Sequence, residues 1–209
     1  MKNTAIIIPT RLEARRLPNK PLIKINDLPM IVHVLNRAKE SKVGEVFVAT
    51  ADSEIIDVVK KNGGQTIMTK KDHPSGSDRV YEAYLQKLQE RADLIINLQG
   101  DMPNIKTESI KKLVKFMRES KSDIGTLASD IKNKDEIKNK NIVKVEVGEN
   151  LKSNNFLAAK DFFRTKEDLK SNKIYHHIGI YAFTNIALTQ YVKLSRSKLE
   201  IERNLEQMR

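Results

Sequence analysis

The feature that most constrains this chain is an alternation. Short runs rich in apolar and β-branched residues at 4–8, 45–50, 93–98 and 124–128, and a more polar strand candidate at 65–69, are separated by segments with the period of an amphipathic helix. Runs of four to six apolar residues without alternation are buried on both faces, as in a parallel sheet. Parallel strands need crossovers, and helices at the intervals supply them. Pro29 opens one such helix, with Ile31, Val34, Leu35 and Ala38 on one face. Asp52 reads as the N-cap of a second, running to residue 61. A third spans 78–89 and a fourth, basic and amphipathic, 106–119. The order predicts an α/β fold with a mostly parallel sheet covered on both faces, a Rossmann-like three-layer αβα arrangement.

The second half changes character. Residues 142–147 alternate apolar and charged, the pattern of a half-exposed strand. Residues 148–173 are polar and irregular and read as a small insertion. Strand pattern returns at 177–183, and residues 199–208 read as a helix. The 209 residues are expected to form one domain, with a core over 1–130 and a second part over 131–209.

Composition excludes several functions. With no Cys, disulfides, thiolate catalysis and cysteine zinc sites are out. No apolar run approaches the ~20 residues of a membrane span, and the apolar start is too short for a signal peptide, so a cytoplasmic protein without membrane attachment is expected. The net charge of +11 suggests an anionic partner. Much of it, as in 138–141, reads as solvated surface. The start is different: Lys2, Arg11, Arg15, Arg16, Lys20 and Lys24 face Glu13 alone, and arginine suits bidentate phosphate contacts. A nucleic-acid partner is not expected, because only 5% of residues are aromatic and no basic–aromatic alternation offers a stacking platform.

In an open parallel sheet, ligands bind beyond the carboxyl ends of the strands. Three polar loops follow strands there. Residues 9–20 carry cations, 70–79 carry Ser75, Gly76 and Arg79, and 99–104 carry Gln99, Gly100 and Asp101. Cations, a glycine and one carboxylate at one edge suit a polyphosphate with a hard metal ion. Asp101 is placed to hold Mg²⁺, which is content with one or two carboxylates plus phosphate. Asp101 equally suits a turn before Pro103, and spacing alone favours the turn. No P-loop and no Gly-x-Gly-x-x-Gly are present. His177, Gly179 and Tyr181 share one face of a strand, a pattern that core packing also explains.

Seven motifs in order resemble the 3-deoxy-manno-octulosonate (Kdo) cytidylyltransferases, relatives of the sialic acid cytidylyltransferases. They are Ile7-Ile8-Pro9-Thr10-Arg11 with Arg16-Leu17-Pro18-Asn19-Lys20; Pro29-Met30-Ile31-Val32-His33; Val48-Ala49-Thr50; Ser75-Gly76-Ser77-Asp78-Arg79; Asn97-Leu98-Gln99-Gly100-Asp101; His177-Ile178-Gly179-Ile180-Tyr181; and Leu205-Glu206-Gln207-Met208-Arg209. The resemblance covers essentially the whole chain and implies a nucleotidyltransferase fold. It implies transfer of CMP from CTP to Kdo with release of pyrophosphate, in lipopolysaccharide synthesis, by a cytoplasmic Mg²⁺-dependent homodimer. It assigns Arg11, Arg16 and Lys20 to the triphosphate and Pro9 and Thr10 to the nucleoside's surroundings. Ser75, Gly76 and Arg79 fall to the cytidine pocket, and Asp101 to the metal. Gln99, His177, Tyr181, Glu206 and Gln207 fall to the sugar.

Three departures from the family pattern stand out. Ala14 replaces a usual Ser. Leu157-Ala158 stand where a Ser-Arg pair would contact the sugar's carboxylate, which leaves Lys160 or Arg164 as substitutes. Family members continue past residue 209 into a segment with a second metal-binding Asp, so a C-terminally shortened and nearly inactive chain is expected. The alternatives are a cytidylyltransferase for another acidic sugar and an inactive nucleotide-binding fragment.

Overall fold

The computed structural model describes residues 3–13, 17–133, 135–152, 154–165 and 173–209. In chain order the elements are β1 (Thr4–Pro9), β2 (Lys24–Ile25), β3 (Leu28–Pro29), α1 (Met30–Glu40), β4 (Glu45–Thr50), α2 (Ser53–Lys61), β5 (Gln65–Met68), α3 (Gly76–Lys87), β6 (Leu94–Leu98), α4 (Thr107–Glu119), β7 (Ile124–Ser129), α5 (Asp135–Lys138), β8 (Lys144–Val147), β9 (Ala159–Phe163), β10 (Ile174–Thr184), α6 (Asn185–Lys193) and α7 (Lys198–Arg203). A 3-10 turn, Glu206–Met208, follows.

The chain forms two units. The first takes residues 1–125 and 180–192. Its strands run β5-β4-β1-β6, all parallel, and the last residues of β10 pair antiparallel with β6. β1 is buried along its whole length, which is why its sequence shows no polar face. Ala5, Ile7, Phe47, Ala49, Ile67 and Ile95 form one core with Val80, Ala83 and Tyr84 of α3 and Leu188 and Tyr191 of α6. Ile6, Ile8, Val48 and Ile96 alternate with these and are equally buried, so both faces are covered. α1 packs against β4, α2 and α4. Arg118 of α4 clasps Asp93 with both guanidinium nitrogens, at 2.6 and 2.8 Å, and also reaches Thr4, tying the starts of β1 and β6 together.

The second unit takes residues 126–179 and 193–209. β8 pairs antiparallel with β9 and with the first residues of β10. Val145, Val147 and Tyr175 form a small core with Leu151, Leu157 and Phe162 against it. Lys144 is fully buried, and its ammonium donates to the carbonyls of Asn139, Ile142 and Arg164. No carboxylate is among these partners, and burial lowers the lysine's pKa.

Most of the expected elements are present, with five differences. The boundary expected at 130/131 falls near 125, and residues 180–192 return to the first unit. β10 runs antiparallel to β6, a pairing that sequence periodicity does not distinguish from a parallel one. The polar stretch 148–173 contains β9. The helix expected over 199–208 breaks at Asn204, which takes a left-handed conformation (φ 51°) and divides α7 from the 3-10 turn. α5, α6 and the β2–β3 hairpin are further elements that the sequence pattern does not show. The hairpin turns on Asn26 and Asp27, both at positive φ, which is the chemistry of a tight two-residue turn.

Candidate functional site

The site of the first unit forms where β1, β4 and β6 end. Pro9 closes β1, and the Thr10 amide donates to the Ala49 carbonyl of β4 at 3.0 Å. Asp52 stands at the N-cap position of α2 as expected, but its carboxylate accepts from the Leu12 amide at 2.9 Å and so holds the cationic loop. A Cβ at Gly100 would lie 3.2 Å from the Pro9 carbonyl oxygen and from Thr10, so this approach suits only glycine without adjustment. A Cβ at Gly76 would lie 3.5 Å from the Pro9 ring and 3.6 Å from the Gln99 amide. Thus the three loops picked from the sequence meet at Pro9–Thr10, Gly76 and Gln99–Gly100.

Buried polar groups brace this junction. Gln99 donates to Asn97 at 3.1 Å, and Asn97 donates to Ser77 at 3.3 Å. Asn97 and Ser77 are 1% and 2% exposed, and buried amides held this way fix a loop's position. Ser75 caps α3, accepting from the Asp78 amide and donating to its carboxylate at 2.7 Å. Asn97 interrupts an otherwise apolar strand, a signal that could have marked it.

Beside the junction lies a cavity of about 340 Å³, lined among others by Arg11, Asp52, Lys71, Asp72, His73 and Arg79. Sequence reading missed Asp52, Lys71, Asp72 and His73 here, because they stand on loops without a pattern. Arg79 is 4% exposed, and its guanidinium donates to Thr69 and to the carbonyls of Lys70 and Lys71. Lys71 pairs with Glu13, a second exposed residue of the cavity lining, at 2.9 Å.

Lys20 stands on a 3-10 turn, Lys20–Leu22, entered through Asn19 in a left-handed conformation. Its ammonium lies 2.8 Å from Asp101, both side chains being partly exposed. The residue expected to meet phosphate and the one expected to meet metal are therefore partners in the free protein. Arg16 and Ala14 lie outside the described residues. The described residues hold no group of three or more His, Asp or Glu arranged for a metal. Among the described residues Asp101 therefore fits a hard cation that keeps water and substrate phosphate as its other ligands, not a protein-caged one.

The expected sugar-side residues fall into two groups. Gln99 and Tyr181 belong to the first unit, where Tyr181 packs on its core with its ring 6.2 Å from that of Phe183. His177, Glu206 and Gln207 belong to the second. Thr126 donates to the Ile178 carbonyl, so its oxygen accepts from His177 Nε2 at 2.9 Å. His177 Nδ1 then accepts from the Gln207 amide at 3.4 Å. Phe162 lies edge-on to the imidazole at 5.2 Å. Burial, with His176 nearby, lowers the His177 pKa to about 4, so the ring is neutral. Glu206 opens the 3-10 turn before Arg209. Arg164 donates to the carbonyls of Lys140 and Asn141, and Lys160 lies over Gly148. Leu157 packs into the small core.

A covered parallel sheet, loops converging at its carboxyl edge, and cations set among carboxylates there define an α/β enzyme that handles a nucleotide and its phosphates. A family model described as cytidylyltransferase matches residues 5–209, and the chain belongs to that family. Among curated relatives, the 3-deoxy-manno-octulosonate cytidylyltransferase of Rhodopseudomonas palustris (strain BisB5) is 45% identical over 208 residues, covering 99% of this chain and 84% of its own. That of Brucella canis is 44% identical, covering 99% and 82%. Among solved structures, CMP:2-keto-3-deoxy-manno-octonic acid synthetase complexed with CTP superposes with a TM-score of 0.88 at 35% identity, covering 99% of this chain and 84% of that one. A cytidylyltransferase from Leptospira borgpetersenii shares the fold, with a TM-score of 0.62 at 20% identity.

Proposed function

We propose that this chain transfers CMP from CTP to the anomeric hydroxyl of Kdo, releasing pyrophosphate and supplying an activated sugar for lipopolysaccharide synthesis in the cytoplasm. The observation that carries this is identity of 44–45% along 99% of the chain to enzymes named for that reaction. The convergence of the three loops on Gly76 and Gly100 supports it.

In this reading the cytidine occupies the cavity beside Arg11, and Pro9 and Thr10 flank the nucleoside. Ser75, at the N-terminus of α3, and Gly76 border it. The triphosphate runs toward Lys20, with Arg11 and Arg16 as further cations. The sugar oxygen attacks the α-phosphorus, and the bond to the pyrophosphate oxygen breaks. Positioning and charge neutralisation supply most of the rate, as in other phosphoryl transfers. Asp101 would hold Mg²⁺ together with phosphate oxygens, and the ion would neutralise charge on the α-phosphate and leaving group. On nucleotide binding, Lys20 exchanges Asp101 for phosphate. On the sugar side, Gln99, Tyr181, Glu206 and Gln207 offer hydrogen-bonding groups. Neutral His177 donates to Thr126, so it orients Gln207 through its other nitrogen and does not act as a cation. The enzyme works as a homodimer.

Thermal shifts with CTP, UTP, ATP and GTP in the presence of Mg²⁺ test the nucleoside assignment, since a ligand that binds the folded state raises its stability. CTP is expected to give the largest shift, and equal shifts would refute the cytidine pocket. Pyrophosphate release with Kdo, compared with sialic acid and other acidic sugars, tests the acceptor. Faster release with another acid would reassign it.

A further inference from the structure

The wall of the cavity is held by charge from behind. Arg79 and Glu82 lie three residues apart on α3, on one face of the helix. Arg79 donates to Thr69 Oγ1 at 2.5 Å and to the carbonyls of Lys70 and Lys71 at 2.9 and 3.0 Å. Glu82 works in the opposite sense. Its Oε2 accepts from the Lys70 amide at 2.9 Å and lies 2.6 Å from His73 Nε2, while Oε1 accepts from Gln86 at 3.0 Å. Burial opposes the Glu82 charge, but the Lys70 amide and His73 outweigh it and hold the carboxyl below its usual range. The Lys70 amide and the carbonyls of Lys70 and Lys71 are thus met by side chains of α3. Lys71, Asp72 and His73 from this segment line the cavity.

A loop without its own ladder of backbone bonds takes its shape from whatever satisfies its polar groups. Here one residue takes the carbonyls, and its neighbour one turn on takes an amide and an imidazole. We propose that Glu82 is a positioning residue for the nucleoside. Acting with Arg79, it sets the cavity wall through Lys70 and His73 without touching substrate. This rests on reading the cavity as the cytidine pocket. His73 is then the far end of the clamp, presented at the cavity by Glu82.

The test compares Glu82→Ala, Glu82→Gln, His73→Ala and the Glu82→Ala/His73→Ala double variant with the parent chain. CTP affinity is measured by calorimetry without sugar, and thermal unfolding and steady-state kinetics are measured alongside. Glu82→Ala is expected to weaken CTP roughly tenfold, the scale of one lost hydrogen bond to a charged group. At saturating CTP, kcat is expected to stay within about twofold, with KM for the sugar unchanged. Glu82→Gln still accepts from the Lys70 amide and should recover most of the affinity. The double variant should be no weaker than the poorer single one, since both remove the same clamp. Additive losses, equal losses for both substrates, or unchanged CTP affinity in folded Glu82→Ala would each overturn the proposal. Should Glu82→Ala not fold, unchanged CTP affinity in both Glu82→Gln and His73→Ala overturns it. If the parent chain itself shows no preference for CTP, the cytidine reading fails first, and the proposal with it.

Discussion

Gly76→Ala separates what the protein needs from what the nucleotide needs. Gly76 is the first residue of α3, and its φ lies outside the left-handed region. The added Cβ would meet the Pro9 ring at 3.5 Å and the Gln99 amide at 3.6 and 3.8 Å, which are ordinary contacts. The free protein therefore has room for it. A Gly to Ala change at a compatible position stabilises by about 0.4–1 kcal/mol, mainly by restricting the unfolded chain. For a domain of this size that is a rise in Tm of about 1–4 °C. The methyl nevertheless stands where the three loops meet, on ground assigned to the nucleoside. Crowding there costs about 1–3 kcal/mol, so KM for CTP should rise by about fivefold or more. Differential scanning fluorimetry and steady-state kinetics on one preparation measure both effects. A lower Tm would show that the junction is tighter than described, and unchanged KM for CTP would show that the nucleotide does not approach Gly76. At Gly100, where the same methyl would lie 3.2 Å from a backbone oxygen, stability itself should fall.

Lys20→Ala should lower kcat/KM for CTP by more than tenfold, whereas Lys112→Ala, at an exposed position on α4, should change it by less than about twofold. His177 is neutral when folded, with its pKa lowered to about 4, so the stability tied to it is complete above about pH 6.5 and lost as pH falls toward 4. That loss amounts to at most about 3 kcal/mol, and urea titrations should show it flattened in His177→Gln. Glu200 is buried between Arg196 and Arg209, and hydrogen bonding to Arg209, against the cost of burial, holds its carboxyl below the usual range. Its contribution is present above the ordinary carboxylate pKa and is lost as pH falls through the lowered one. Glu200→Gln should cost about 3–5 kcal/mol in denaturant unfolding, because Arg209 is left buried without its charge partner, and a loss under about 1 kcal/mol would refute that pairing.

Local physics made much of this molecule legible in its sequence. Short runs such as residues 4–8 and 94–98, apolar but for Thr4 and Asn97, bury both faces, as central strands of a covered sheet do. Helical periodicity, Pro29 and the Gly63-Gly64 stop bounded α1 and α2 closely, because caps and breakers act within a turn of the residues that carry them. The three loops were legible as ligand-bearing because the carboxyl edge of a parallel sheet is where such loops gather. What the tertiary structure decided depends on partners far away in the chain. The direction of β10 beside β6 and the return of residues 180–192 to the first unit follow from pairing across 80 residues or more, and the strand hidden in the polar stretch as β9 follows from its pairing with β8; no local period encodes either. The same holds at the site. Asp52 caps no helix with its side chain but holds the Leu12 amide, Lys20 rests on Asp101, and Arg79 and Glu82 spend their charges on a loop. A charged side chain binds whichever polar group the fold brings within about 3 Å, and only the folded chain determines which group that is.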